Sequence, residues 1–257
     1  MSAWEFAFLV LAGVGSGLIG SIAGLASLIS YPALLATGLP PVTANVTNTT
    51  ALVLTGVGSV SASRPELKGQ GRRLVPLAIS AVVGGSAGAL LLMLTPSDAF
   101  ERIVPWLIGG ASVAILIQRP PRELAAEGAR EHAKHPDRDQ WWLPFAVFAI
   151  SIYGGYFGAA AGVLMLATLL LTTGEGLPRS NAMRNVILGV ANSVAAIGFV
   201  LFASIAWSAA LPLAAGLLLG SLIGPRVVRR APQTALRRAI ALAGLGLAIY
   251  LGMEAYT

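Results

Sequence analysis

The sequence predicts an all-α polytopic membrane protein made of two inverted repeats, each a broken helix or hairpin plus three transmembrane helices, about eight spans and ten helical segments in all. Three observations carry this. Of 257 residues, 56% are hydrophobic and 11% charged, and the mean hydropathy is +0.77, outside the range of a domain with a solvated surface. The chain also resembles itself: a shift of 138 brings Trp4 onto Trp142, Gly20 onto Gly158, Gly24 onto Gly162 and Gly38-Leu39-Pro40 onto Gly176-Leu177-Pro178. Finally, 30 glycines and 15 prolines punctuate the apolar runs, which requires helices that approach closely and helices that break.

The elements follow in order. Residues 4 to 37 are apolar and too long for one crossing of roughly 20 residues, and Gly13, Gly15, Gly17, Gly20 and Gly24 interrupt them, so they read as a helical hairpin or broken helix. After Pro40-Pro41 come spans at 41 to 63, 74 to 94 and 99 to 118. A second broken run, 141 to 173, is followed by spans at 178 to 203, 207 to 225 and 235 to 256. At a shift of 136 the later parts also match, Gly84 with Gly220 and Gly88 with Gly224 among them. Residues 1–118 and 141–257 are thus the two repeats, and 119–140, rich in Arg and Glu, is a solvated polar connector. The N-terminus has no basic stretch before its first apolar run and reads as a retained span.

Charge predicts orientation. Fourteen of the 17 Lys/Arg fall in three stretches, 64 to 73, 119 to 138 and 226 to 238, which are expected to be cytoplasmic. The Thr95-Pro96-Ser97-Asp98 link is acidic where its counterpart Ala231-Pro232 is flanked by arginines, as two upside-down copies require. Both termini then lie outside. The competing arrangement is two parallel four-helix repeats with kinked first helices.

Polar residues inside the spans mark the candidate site. Asn45, Asn48 and Thr49 recur at i, i+3, i+4, and Asn181, Arg184, Asn185 and Asn192 at i, i+3, i+4, i+11, so each set lines one helical face. Asn and Thr donors beside the positive end of a helix suit an anion with several acceptor oxygens. Arg184 stands alone as a basic residue well inside a span, where a charge costs about 3 kcal/mol. Two readings of it stay open, anion binding and snorkelling to the cytoplasmic surface. The Asn/Thr stripes have their own alternative, hydrogen bonding between helices. Gly24 and Gly162 let backbone approach a ligand or another helix, and Tyr31, with Tyr153 and Tyr156, lines the site or anchors at the interface.

Other chemistries are disfavoured. Cysteine is absent, both histidines, His132 and His135, lie in the connector, and no carboxylate lies mid-span, which removes the usual ligands for metals, cation transport and intramembrane catalysis. No metal, cofactor or nucleic acid is expected, since the basic residues sit between spans, and the chain is not expected to be an enzyme.

At these residues the chain resembles the TauE/SafE family of sulfite and organosulfonate exporters, also called the 4-toluene sulfonate uptake permease family. The resemblance rests on the duplicated glycine-bearing hairpin, Gly20 to Gly24 and Gly158 to Gly162, and on Pro32-Ala33-Leu34-Leu35 leading to Gly38-Leu39-Pro40-Pro41-Val42-Thr43-Ala44-Asn45 and Asn48-Thr49. Here Ala23-Gly24-Leu25-Ala26 and Ala159-Ala160-Ala161-Gly162 are poorer in glycine than the family pattern, and Asn-Thr and Arg-Asn replace its Thr-Ser. The resemblance implies a multi-pass protein of the bacterial inner membrane that exports sulfite or small organosulfonate anions as a secondary transporter. Its implied partners are a small anionic substrate, membrane lipid and, as one option, a second copy of the chain. Transport of another small anion, or an assembly role without transport, are the alternatives.

Overall fold

The computed structural model describes residues 2–134, 140–227 and 233–256, and among these the protein is helical throughout. Helix α1 (Ala3–Ala23) starts on a capping box, in which the Ser2 hydroxyl accepts from the Glu5 amide and the Glu5 carboxylate from the Ser2 amide. It ends where Gly24 takes φ +75°, a conformation that costs glycine nothing, and the short α2 (Ser27–Leu35) follows. Then come α3 (Pro41–Ala62), α4 (Gly71–Leu94) and α5 (Ser97–Ile117). The second half repeats the scheme. Helix α7 (Leu143–Tyr156) breaks at Gly158, φ +76°, and Ala160, φ +61°, before the short α8 (Ala161–Thr172). Helices α9 (Leu177–Phe202), α10 (Trp207–Val227) and α11 (Gln233–Tyr256) complete it. Pro41 and Pro178 occupy first turns, where the missing amide hydrogen has no partner to lose.

Both breaks therefore fall where the glycine pattern puts them. Among the described residues, six helices are long and apolar enough to cross a membrane by length and composition: α1, α4, α5, α9, and the segments Trp207–Gly224 and Arg237–Tyr256. The expected count was eight. Helix α3 is long, yet its Asn and Thr residues lower its hydropathy, and α7 and α8 are each too short to count singly.

Glycines set the contacts between the halves. A Cβ at Gly13 or Gly17 would run into the backbone of Leu213 or Leu217, and one at Gly216 or Gly220 into that of Val10 or Val14, so α1 and α10 lie side by side in the same direction. Gly84 and Gly88 meet Phe148 and Ile152 in the same way, which makes α4 and α7 parallel. Helices α3 and α10 also run together, from Thr47 beside Ala206 to Gly58 beside Ser221. Helices α4 and α9 do so from Gly85 beside Ala191 to Met93 beside Gly198. Helix α11 runs against α5, with Gly252 beside Pro105 and Gly244 beside Ser112.

The connector carries a helix of its own, largely exposed, that the sequence reading did not specify. Residues Pro121–Lys134 form a helix, α6, whose Leu124 is 4% exposed and packs with Leu166 and Leu170 of α8. Residues 135–139, with His135, and the Ala231–Pro232 link lie outside the described residues.

Candidate functional site

The two breaks meet. A Cβ on Gly24 would lie 2.6 Å from the Gly162 carbonyl carbon and 2.8 Å from Nη1 of Arg184, so glycine is required for this backbone-to-backbone contact. Beside it is a cavity of ≈ 70 Å³. Its walls come from the ends of α1 and α7, the starts of α2 and α8, and the middles of α3 and α9. On a scale where one water needs about 10–15 Å³, it holds roughly five waters. The helix starts at this point are therefore those of α2 and α8, contributing Ser27, Ala161 and Gly162. Those of α3 and α9, which the sequence reading favoured, are not among the lining residues, because the proline turns at Pro40 and Pro178 mark the far ends of helices that pass the cavity mid-length.

Arg184 dominates the site. Its side chain is 1% exposed, so snorkelling is not how it is accommodated. Nη2 donates to the Gly20 and Ser21 carbonyls at 3.0 and 3.1 Å and to Oδ1 of Asn185 at 2.8 Å, and Nε donates to that same oxygen at 3.3 Å. The two carbonyls belong to the last turn of α1, the negative end of a helix dipole, and partly compensate the buried charge. Nη1, also buried, has no hydrogen-bond partner among the described residues, nor does Nδ2 of Asn185. No Asp or Glu is among the lining residues.

Six of the ten residues singled out from sequence line this cavity: Gly24, Thr49, Gly162, Arg184, Asn185 and Asn192. The other four are placed differently. Asn48 donates to the Ser27 hydroxyl at 3.3 Å and so stands behind the wall. Asn45 donates to the Tyr156 carbonyl at 2.8 Å and Asn181 to the Ser21 carbonyl at 3.1 Å. Each thus ties a middle helix of one half to the last turn of the first helix in the other, as the interhelical alternative anticipated. Tyr31 does not line the central cavity; its ring meets Phe157 edge-on at 5.2 Å and it borders a separate space near the start of α5. Tyr153 and Tyr156 likewise hold structure, donating to the Ala159 carbonyl and to the Thr95 hydroxyl.

Three hydroxyls escaped the sequence reading: Ser27, Thr55 and Ser59 also line the cavity, and those of Thr55 and Ser59 are buried without a protein partner. Extending the α3 stripe from Asn48 by helical steps to Leu52, Thr55 and Ser59 is the signal that finds the last two.

A second polar cluster lies at the turn between α8 and α9. Glu175 accepts from Gln70 at 2.9 Å, Arg73 at 3.0 Å and Arg179 at 3.1 Å. Burial pushes its carboxyl up, but the bonds from Gln70, Arg179 and Arg73 outweigh this and hold it below the ordinary glutamate value.

Comparison with known proteins agrees with this picture. The sequence matches the family described as "Sulfite exporter TauE/SafE" over residues 9–251. It is 28% identical over 255 residues to the "Probable membrane transporter protein ORF9" of Sinorhizobium sp., covering 95% of this chain and 91% of that protein. It is 28% identical over 236 residues to the "Probable membrane transporter protein YfcA" of Escherichia coli K12, covering 88% of this chain and 82% of that protein. A "Probable membrane transporter protein" of Haemophilus influenzae is 29% identical over 234 residues, with 90% and 88% covered. No solved structure matches. A multi-pass helical protein with a buried cation between its halves, matched from end to end by transporter sequences, belongs to the sulfite exporter TauE/SafE family of membrane transporters.

Proposed function

We propose that the protein is a secondary transporter that exports sulfite or a small sulfonate across the bacterial inner membrane by alternating access, with the anion held at the cavity between the helix breaks. The observation that carries this is Arg184: fully buried, anchored through Nη2 and Nε, with Nη1 lacking a partner among the described residues, beside a cavity whose described lining holds no carboxylate. A buried cation with a spare donor is costly unless an anion completes it. Asn185 and the hydroxyls of Ser27, Thr49, Thr55 and Ser59 add donors around the same space, and the first amides of α2 have no partner within their own helix. Gly24 and Gly162 hold the two breaks together, and Asn192 completes the wall on α9. A volume of ≈ 70 Å³ favours a compact oxyanion of sulfite size over an aryl sulfonate.

Alternating access requires two states related by symmetry, and the contact register supports inverted halves. Helices α1 and α3 run with α10, while α4 runs with α7 and α9, and α5 runs against α11. The ends of α4 and α9 and the start of α3 meet around one space lined by Thr43, Met93, Thr95 and Phe202, so α3 opposes both α4 and α9. Member for member, the second half then points opposite to the first. With the basic stretches cytoplasmic, both termini are outside and the Glu175 cluster is inside.

The test is flux in proteoliposomes of purified protein. Efflux of sulfite that is abolished by Arg184→Met supports the proposal; flux unaffected by that change, or absent for every sulfur oxyanion and small sulfonate, refutes it.

A further inference from the structure

We propose that α6 is a strap: docked along α8, it closes the cleft on the connector side, and the central cavity opens to that side only when α6 lifts. It rests on the transport reading above for its flux arm and on the inverted pairing for its comparison of clefts.

The two short helices α2 and α8 are repeat partners, and the spaces flanking them differ. Beside α2, between the start of α5 and the end of α11, lies a cavity of ≈ 540 Å³ bordered by Tyr31, Leu35, Val104 and Leu247. Beside α8, between the end of α5 and the start of α11, the corresponding gap is only ≈ 10 Å³, because α6 fills it with Leu124. This gap runs from Ile22 and Ala23, at the end of α1, to Leu170 near the end of α8.

Docking extends along the length of α8. Gly128 is held so close that a Cβ there would collide with the Leu170 carbonyl oxygen, and the His132 side chain lies on Gly174, φ +65°, just before Glu175. At the root of α6, Gln118 donates to the Val163 carbonyl in the first turn of α8 at 3.2 Å and accepts from Arg237. Yet α6 is a polar helix whose other side carries exposed charges, with Arg119 paired to Glu127 in solvent. These contacts lie on one stripe of a helix whose other side is solvated, and a helix docked in this way belongs to the elements that open at lower cost than the buried spans.

The chain has no cysteine, so single pairs can be introduced cleanly. Leu124→Cys with Leu166→Cys, joined by a short cleavable cross-linker in proteoliposomes, is expected to cut sulfite flux by about tenfold or more. Cleavage of the linker restores flux. In a second arm, Gly128→Leu wedges α6 from α8, and a cysteine at Leu166 is expected to react about tenfold faster with an impermeant maleimide than it does with Gly128 in place. Flux unchanged by cross-linking, or labelling unchanged in Gly128→Leu protein that elutes as a folded species, overturns the strap. If the uncross-linked protein carries no sulfite, the transport proposal fails, and the labelling arm still decides the strap.

Discussion

Replacing Arg184 by methionine separates an anion site from a structural cation. Methionine keeps much of the side-chain volume and removes every donor, leaving the Gly20 carbonyl and Asn185 Oδ1 without the guanidinium; the Ser21 carbonyl keeps its bond from Asn181. Each charged hydrogen bond lost costs about 1.5–3 kcal/mol, but the buried charge it served is also removed, so the two largely offset. The unliganded fold should therefore change by no more than about 2 kcal/mol. Binding has no such offset. Removing one partner of a buried, hydrogen-bonded charge pair costs about 2–5 kcal/mol, at least about 30-fold in affinity. The assay is the melting temperature of detergent-purified protein against sulfite concentration, since a ligand at about 100 times its Kd stabilises the folded form by ~2.7 kcal/mol. The wild type should rise with sulfite and Arg184→Met should not. A variant that keeps the ligand-induced rise, with affinity within about threefold of wild type, refutes the placement of the anion at Arg184; collapse of the unliganded fold assigns the residue to structure.

Further outcomes follow from the same contacts. Gly17→Leu must force α1 from the Leu217 backbone and should lower stability by about 3 kcal/mol, read as a drop in melting temperature. Asn45→Ala orphans the Tyr156 carbonyl and should destabilise by about 1–3 kcal/mol while leaving sulfite affinity unchanged, which distinguishes a brace from a ligand. Glu175 is held below its ordinary pKa of about 4.3. Its contribution is thus complete above that value and is lost as pH falls through the lower folded value. Melting curves of Glu175→Gln should run below wild type at neutral pH and converge with it once pH has fallen below that folded value.

Much of the fold is legible in the residues themselves. Gly24 and Gly158 mark the breaks because each is a glycine inside a long apolar run that takes positive φ at no cost, and the Gly-Leu-Pro triplets mark the starts of α3 and α9. The docking of α6 is harder to read. Its charges dominate any average over Pro121–Lys134, and the residues that dock, Leu124, Gly128 and His132, form one narrow stripe at i, i+4, i+8 with a single large apolar side chain. The site is half legible for a related reason. Helical spacing shows that Asn45 and Asn48, or Asn181 and Arg184, share a face, but it carries no information on depth. Asn45 and Asn181 lie a turn too early and meet helix ends, whereas Thr55 and Ser59, about two and three turns beyond Asn48, meet the cavity.

Duplication explains which polar residues stay alike and which diverge. Counted from the helix starts, Pro41 of α3 and Leu177 of α9, Asn45 corresponds to Asn181, Asn48 to Arg184 and Thr49 to Asn185. The first pair keeps one job in both halves, each asparagine holding the last-turn carbonyl of the opposite first helix. The second pair does not: Arg184 reaches across to α1 and presents Nη1, while Asn48 only donates to Ser27. A second arginine in place of Asn48 would set two like charges around a cavity of ≈ 70 Å³. At about 6 Å and an effective dielectric near 20 they would repel by roughly 3 kcal/mol in the empty state. On the proposed transport reading, one arginine with neutral donors opposite it lets the empty cavity persist and still favours a bound anion, and both suit a carrier whose cycle includes an unloaded return.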